Sequence, residues 1–226
     1  MTLINGFEYS SQNHMLCLNT KGLILGSHQD TIDEVRQQGG IVVICHPRWV
    51  DGNYWTAEQI NRLYGVLGME IYNQVIFRMR GTGLATDVWD DLLSRGHLLW
   101  GFGNDDFHRW YDLAKAWNVV YSAPGVNSVM NALREGRFYV STGLRLQSFS
   151  LENGVIAISA SALNGFPQPL RYAFIGEHGS QLSVQEGDHA EYRLDGSQAC
   201  VRVCVSSLYG TMLWTRPVYD LQIILF

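Results

Sequence analysis

Short apolar runs alternate with longer mixed stretches along the first part of the chain, up to about residue 143. The run 41–45 consists of β-forming residues, which is typical of a strand buried on both faces. Thr56 and Gln59 are spaced to form a capping box at the start of a helix. Strands that alternate with helices predict a parallel sheet or barrel covered by those helices. The helices are predicted at 31–38, 56–64, 84–95 and 126–135.

The pattern changes after residue 143 to short β-rich segments separated by turn signals such as Asp195-Gly196. In the run 200–205, valine alternates with other residues, as in a strand with one buried face. This texture is typical of an antiparallel sandwich. The sequence therefore predicts two domains, 1–143 and 144–226, with the candidate chemistry confined to the first.

Four of the short segments in the first part carry a residue that can bind a metal at or near one end. These residues are Glu8 with His14, His46, Glu70, and the carboxylates and imidazole of Asp105-Asp106-Phe107-His108. Polar groups at strand ends often meet at ligand sites in α/β proteins, and imidazole with carboxylate suits zinc, manganese or iron. The alternative for Asp105 or Asp106 is a helix cap. Repetition of the pattern favours a metal site.

Composition narrows the class of protein and its partners. The chain is 46% hydrophobic and 16% charged, with a net charge of −5, so it can fill a sizeable core. The absence of a basic block argues against a nucleic-acid surface, and no apolar run approaches the length of a membrane span. The four cysteines lie in strand-like runs and are expected to be buried thiols in a reducing, cytoplasmic location.

Taken in order, these motifs resemble those of the PHP (polymerase and histidinol phosphatase) superfamily, in its stand-alone metallohydrolase branch. The resemblance implies an α/β fold, a distorted (βα) barrel that is N-terminally incomplete here and is followed by a small antiparallel β-sandwich. The matching segments are Gly6-Phe7-Glu8, His14-Met15-Leu16, Cys45-His46-Pro47-Arg48-Trp49, Met69-Glu70-Ile71-Tyr72-Asn73, Asp105-Asp106-Phe107-His108, and the run 133–143.

The same resemblance implies roles for individual residues. His46, Asp106 and His108 would be catalytic, and zinc, manganese or iron would be the cofactor. A bound metal lowers the pKa of a water and screens an anionic substrate, which suits hydrolysis of a small phosphorylated molecule. Arg48 or Arg109 would orient the phosphate, although a solvated surface role is more frequent for an arginine considered alone. The implied metal ligands are Glu8, His14, His46, Asp106 and His108.

The sequence also departs from the family pattern, because no histidine precedes His14 and the opening His-x-His strand is missing. We therefore expect fewer than three tightly bound metals. Two hypotheses follow: a metal-dependent phosphoesterase that uses a metal-activated water, or a truncated, weakly active or inactive relative that serves as a binding module. Glu70 is expected to line the pocket rather than bind metal. An open barrel edge would favour a homo-oligomer that covers it.

Overall fold

The computed structural model describes residues 2–163, 165 and 168–219. Within them the chain forms five α-helices: α1 (His28–Gln37), α2 (Trp49–Gly52), α3 (Ala57–Asn61), α4 (Thr86–Ser94) and α5 (Val126–Arg134). It also forms fifteen strands: β1 (Gly6–Tyr9), β2 (Met15–Leu18), β3 (Ile41–Ile44), β4 (Gly68–Asn73), β5 (Trp100–Asn104), β6 (Trp117–Val120), β7 (Phe138–Ser141), β8 (Leu144–Glu152), β9 (Val155–Ala162), β10 (Leu170–Ile175), β11 (Gln181–Gly187), β12 (His189–Arg193), β13 (Cys200–Ser206), β14 (Met212–Trp214) and β15 (Val218–Tyr219). None of the described helices is long and apolar enough to cross a membrane.

The first sheet contains five strands in sequence order, β1 to β5. β1, β2 and β3 pair antiparallel, whereas β3, β4 and β5 pair parallel. Side chains of α1 and α4, including Ile32, Val35 and Trp89, join the strands in one core. Local sequence starts two of the helices, since Ser27 with Asp30 and Thr56 with Gln59 form capping boxes. The capping box predicted at Thr56 is confirmed.

Two further sheets share a second core. A seven-stranded sheet contains β6, β7, β10, β11, β13, β14 and β15, and a three-stranded sheet contains β8, β9 and β12. All of their pairs are antiparallel. Ile156 and Ile158 of the smaller sheet pack with Tyr172, Phe174 and Val203 of the larger one. Strands dominate the described residues after 143, as the turn-rich sequence predicts.

The predicted (βα) barrel, complete or incomplete, is wrong. The described residues form three sheets with no closed barrel, and the fold is rich in β-structure. Only the connections from β3 to β4 and from β4 to β5 give parallel pairs, and β1 to β3 form an antiparallel meander instead. β6 and β7 then join the seven-stranded sheet rather than extending the first one. A barrel needs a continuous ring of strands, and this topology has none.

The sheets meet near the junction that the sequence places at residue 143. β6 and β7 precede that residue, yet β7 pairs with β14 from the far end of the chain. The guanidinium of Arg202 on β13 also forms a buried ion pair with Asp90 on α4. The larger sheet therefore draws strands from both sides of residue 143. The division into 1–143 and 144–226 stays a prediction, as does oligomer formation at a sheet edge.

Gly103→Ala is expected to destabilise the protein by about 1–3 kcal/mol, because a new methyl group would overpack the junction. A Cβ at Gly103 would collide with Cγ1 of Val140 on β7. Urea unfolding measures the change. The double variant Gly103→Ala with Val140→Ala removes the collision and should lose less than the sum of the two single changes. Equal stability of Gly103→Ala and wild type would contradict close packing here.

Candidate metal centre

Three of the predicted ligands, Glu8, His14 and His46, lie together at one end of the first sheet. β2 runs antiparallel to both β1 and β3, so its first residues lie beside the last residues of those strands. His14 directly precedes β2, His46 follows β3 by two residues, and Glu8 lies in β1. The backbone N–H of Cys45 donates to the carbonyl oxygen of His14 at 3.2 Å. Strand pairing therefore brings the three side chains together.

The side-chain atoms are close enough to share one ion. One possible ligand atom from each of Glu8, His14 and His46 lies within 4.8 Å of the other two. Oε1 of Glu8 is 2.5 Å from Nδ1 of His14 and 3.6 Å from Nε2 of His46. The short approach lacks hydrogen-bond geometry, and Nδ1 of His14 has no hydrogen-bond partner within the described part of the chain. The three side chains thus place one carboxylate oxygen and two imidazole nitrogens close enough together to bind one cation.

His46 gives a second sign that a ligand belongs here. Its side chain is buried, and Nδ1 has no hydrogen-bond partner among the residues that the structure describes. Leaving a buried polar atom without a partner costs about 1–3 kcal/mol, so such atoms are uncommon. The ring lines two cavities, of about 310 Å³ and about 120 Å³, in which a ligand could bind.

Two aromatic side chains enclose the histidine rings. The rings of His14, His46, Trp49 and Tyr54 contact one another, with all six centroid separations between 4.8 and 5.6 Å. This packing restricts rotation of both imidazoles. Burial raises the pKa of Tyr54 to about 12, so its hydroxyl stays protonated at neutral pH and does not compete as an anionic ligand.

Asp106 and His108 line the same larger cavity as Glu8, His14 and His46. Both follow β5, whose carboxyl end lies beside that of β4. His108 is exposed, and its Nδ1 lies 2.6 Å from the backbone oxygen of Asp106, which leaves Nε2 as the second ring atom available to a ligand. Asp106 and His108 line this cavity but do not belong to the three-residue cluster. The structure brings all five predicted ligands to one cavity.

Two other aspartates fix the loop that carries Asp106 and His108. Asp105 accepts hydrogen bonds from the backbone N–H groups of residues 114, 115 and 116. Asp112 is buried and accepts from the backbone of His108 and Arg109 and from the side chain of Arg78. The Arg78 guanidinium lowers the pKa of Asp112. The alternative of a helix N-cap at Asp105 is wrong, because its carboxylate accepts from amides of a loop and not from the start of a helix.

The arginines at the site differ in whether a carboxylate neutralises them. Arg48 pairs with Asp87 through two nitrogens and also donates to Gly52, and it does not line the larger cavity. Arg78 lines the cavity but pairs with Asp112. Arg109 lines it, and its guanidinium forms no ion pair with a carboxylate of the described residues. Of the two arginines predicted to bind substrate, Arg109 lines the larger cavity and Arg48 does not.

Glu70 lies beneath the cluster as a buried carboxylate. Oε2 accepts from the backbone N–H of His46 at 2.6 Å and from Nδ2 of Asn73 at 2.8 Å, and Oε1 accepts from Nδ2 of Asn104 at 2.7 Å. Glu70 lines the smaller cavity with Glu8, His46 and Asp106. Burial raises the pKa of Glu70, while His46 and the amide donors act in the opposite direction.

The charges around His46 favour a cation. Burial alone lowers the pKa of His46, but the carboxylates of Glu8, Glu70 and Asp106 together raise it above the usual value. In return, His46 and His14 lower the pKa of Glu8 against the effect of burial. A site with more carboxylate than cationic charge stabilises positive charge placed within it. The nitrogen and oxygen donors of Glu8, His14 and His46 therefore fit a divalent ion such as zinc, manganese or iron.

No family model matches the chain, and no curated protein matches its sequence. Functional inference therefore depends on the geometry of the cavity and on the donor types around it.

Sequence reasoning did not identify Arg78, Asn73 or Asn104 as part of the site. Asn73 and Asn104 end β4 and β5, and an amide at the end of a strand beside candidate ligands is a usable signal. Arg78 lies in a short 3-10 helix, Val75–Arg78, and reaches the loop through a partner 34 residues away. Nothing in the sequence around Arg78 indicates that contact.

Proposed function

We propose that this chain is a metal-dependent hydrolase of small phosphoesters. The observation that carries the proposal is the convergence of Glu8, His14 and His46 within 4.8 Å, with buried histidine nitrogens that lack hydrogen-bond partners in the described residues. These three residues would hold the ion. Asp106 and His108, which line the same cavity, would supply further ligands or exchange protons with the substrate.

A divalent ion bound here would lower the pKa of a water and neutralise part of the charge of a phosphoester. The chain's own residues would do the rest. Arg109 would bind a phosphate oxygen, since no carboxylate of the described residues pairs with its guanidinium. Trp49 and Tyr54 would keep both imidazoles in fixed orientations.

The ordered motifs that resemble those of the PHP superfamily support the proposal, because they carry metal-binding residue types at or near strand ends. The barrel of that family forms no part of it. The cysteines Cys17, Cys45, Cys200 and Cys204 are free thiols, which supports a reducing, cytoplasmic location. Because the proposed reaction is hydrolysis of a phosphoester, the proposed partner is a small phosphorylated molecule.

Protein purified without chelator is expected to contain at least one and fewer than three divalent ions per chain by elemental analysis. It should hydrolyse a generic aryl phosphate, lose that activity with chelator, and regain it with added zinc, manganese or iron. Loss and recovery are expected because the water needs the ion to reach a useful pKa. Failure to bind any of these ions would refute the proposal. Binding without turnover of any phosphoester would instead favour the binding-module hypothesis.

A further inference from the structure

Glu70 is linked by hydrogen bonds to two of the predicted metal ligands, directly to His46 and through Asn73 to Asp106. Its Oε2 accepts from the backbone N–H of His46, which belongs to the three-residue cluster. The same oxygen accepts from Nδ2 of Asn73, and that amide nitrogen also lies 3.3 Å from Oδ2 of Asp106. One carboxylate and one amide therefore connect residues that follow β3 and β5, through the strand that lies between them.

The two residues held in this way have unusual backbone conformations. His46 has φ of 31° and Asp106 has φ of 51°, and neither is a glycine. Such conformations cost about 1–3 kcal/mol each and persist only where the surroundings enforce them. At His46, the 2.6 Å hydrogen bond from its backbone N–H to Glu70 is one contact that supports this conformation. The backbone conformation in turn sets the direction in which the imidazole leaves the chain.

Asn73 has its own orientation fixed. It is buried, and its Oδ1 accepts from the backbone N–H of Ile76 at 3.3 Å. The amide nitrogen is therefore directed toward the carboxylates of Glu70 and Asp106. The amide nitrogen of Asn73 therefore holds the carboxylates of Glu70 and Asp106 at a defined separation. An amide rotated by half a turn would present its oxygen to them and would not hold them.

We propose that Glu70 and Asn73 are positioning residues, which hold His46 and Asp106 in the conformations that bind a divalent ion. This inference rests on the proposed metal site. Groups that orient metal ligands typically change metal affinity or activity by about 10–100-fold when they are altered. A purely structural role for Glu70 would instead change stability and leave the bound metal unaffected.

Cobalt(II) titration of the full chain separates these roles, because its visible absorption reports ligand geometry. Glu70→Gln keeps the side-chain volume but turns an NH₂ group toward N–H donors. It should weaken Co²⁺ binding by about 10–100-fold and change the absorption spectrum. Asn73→Ala should weaken binding by about 10-fold, because Asp106 loses its donor. The matched control is Asp90→Asn, a buried carboxylate remote from the cavity, which should lower the melting temperature without changing Co²⁺ affinity.

Unchanged affinity and spectrum in Glu70→Gln, with only a lower melting temperature, would overturn the inference while leaving the proposed hydrolase intact. If Glu70→Gln does not fold, Asn73→Ala decides, and wild-type affinity in that variant overturns the inference. Absence of Co²⁺ binding by the wild-type chain would overturn both the metal site and the positioning role.

Discussion

His46→Ala is expected to weaken binding of zinc or manganese by more than about 100-fold and to abolish metal-dependent phosphoester hydrolysis. The imidazole is the buried member of the cluster and lines both cavities, so its removal takes away one of the three clustered donors. Changes to groups that merely orient a ligand already cost about 10–100-fold, and loss of a ligand should exceed this. Competition titration with a metal indicator measures the affinity, and an aryl phosphate assay measures turnover.

The matched control for that experiment is His97→Ala. His97 is partly exposed, lies just before β5, and bonds to Asn61 away from the cavity. The His97→Ala variant should bind metal with the affinity of the wild type. His14→Ala should follow His46→Ala, because Nδ1 of His14 approaches the same oxygen of Glu8. Wild-type affinity in both His14→Ala and His46→Ala would show that any bound metal lies elsewhere.

Asp90→Ala is expected to destabilise the protein by about 3–5 kcal/mol, because it leaves the guanidinium of Arg202 buried without its partner. The side chains of Arg202 and Asp90 are only 6% and 8% exposed, and two hydrogen bonds of 2.6 and 2.7 Å join them. Arg202 also lies over the ring of Trp89, 5.1 Å from its centroid. Chemical denaturation of Asp90→Ala and wild type measures the difference.

Asp87→Ala is the control on the same helix. Asp87 is exposed and pairs with Arg48, so its loss should cost about 1 kcal/mol or less. The double change Asp90→Leu with Arg202→Met replaces the pair with apolar groups and should recover most of the lost stability. Equal effects of Asp87→Ala and Asp90→Ala would contradict a buried pair between α4 and β13.

Local sequence determined several features of this protein. Thr56 and Gln59 cap a helix because the side chains three positions apart reach each other's backbone amides. The run 41–45 contains a buried strand, and strands dominate the described residues after 143, because hydrophobic period and turn residues act over a few positions. The donor types of Glu8, His14, His46, Asp106 and His108 likewise indicated a shared site before any fold was assigned.

Tertiary structure alone decided how the strands join. Hydrophobic patterning marks a short segment as a strand but does not fix its direction relative to its neighbours, so the pattern could not exclude the barrel for β1, β2 and β3. The transfer of β6 and β7 to the larger sheet depends on pairing of β7 with β14, about 70 positions away. Long-range pairing depends on which sheet edges remain open in the folded chain, and local spacing does not encode this.

The same distinction holds within the site. Arg48 and Arg109 both follow a candidate metal ligand closely in sequence, but Asp87 neutralises Arg48 whereas Arg109 lines the cavity. Glu70 was recognised as a strand-end carboxylate, but its bond to the backbone of His46 becomes visible only when β3 and β4 lie side by side. Residue type therefore determined what chemistry was available, and strand pairing decided which groups could perform it together.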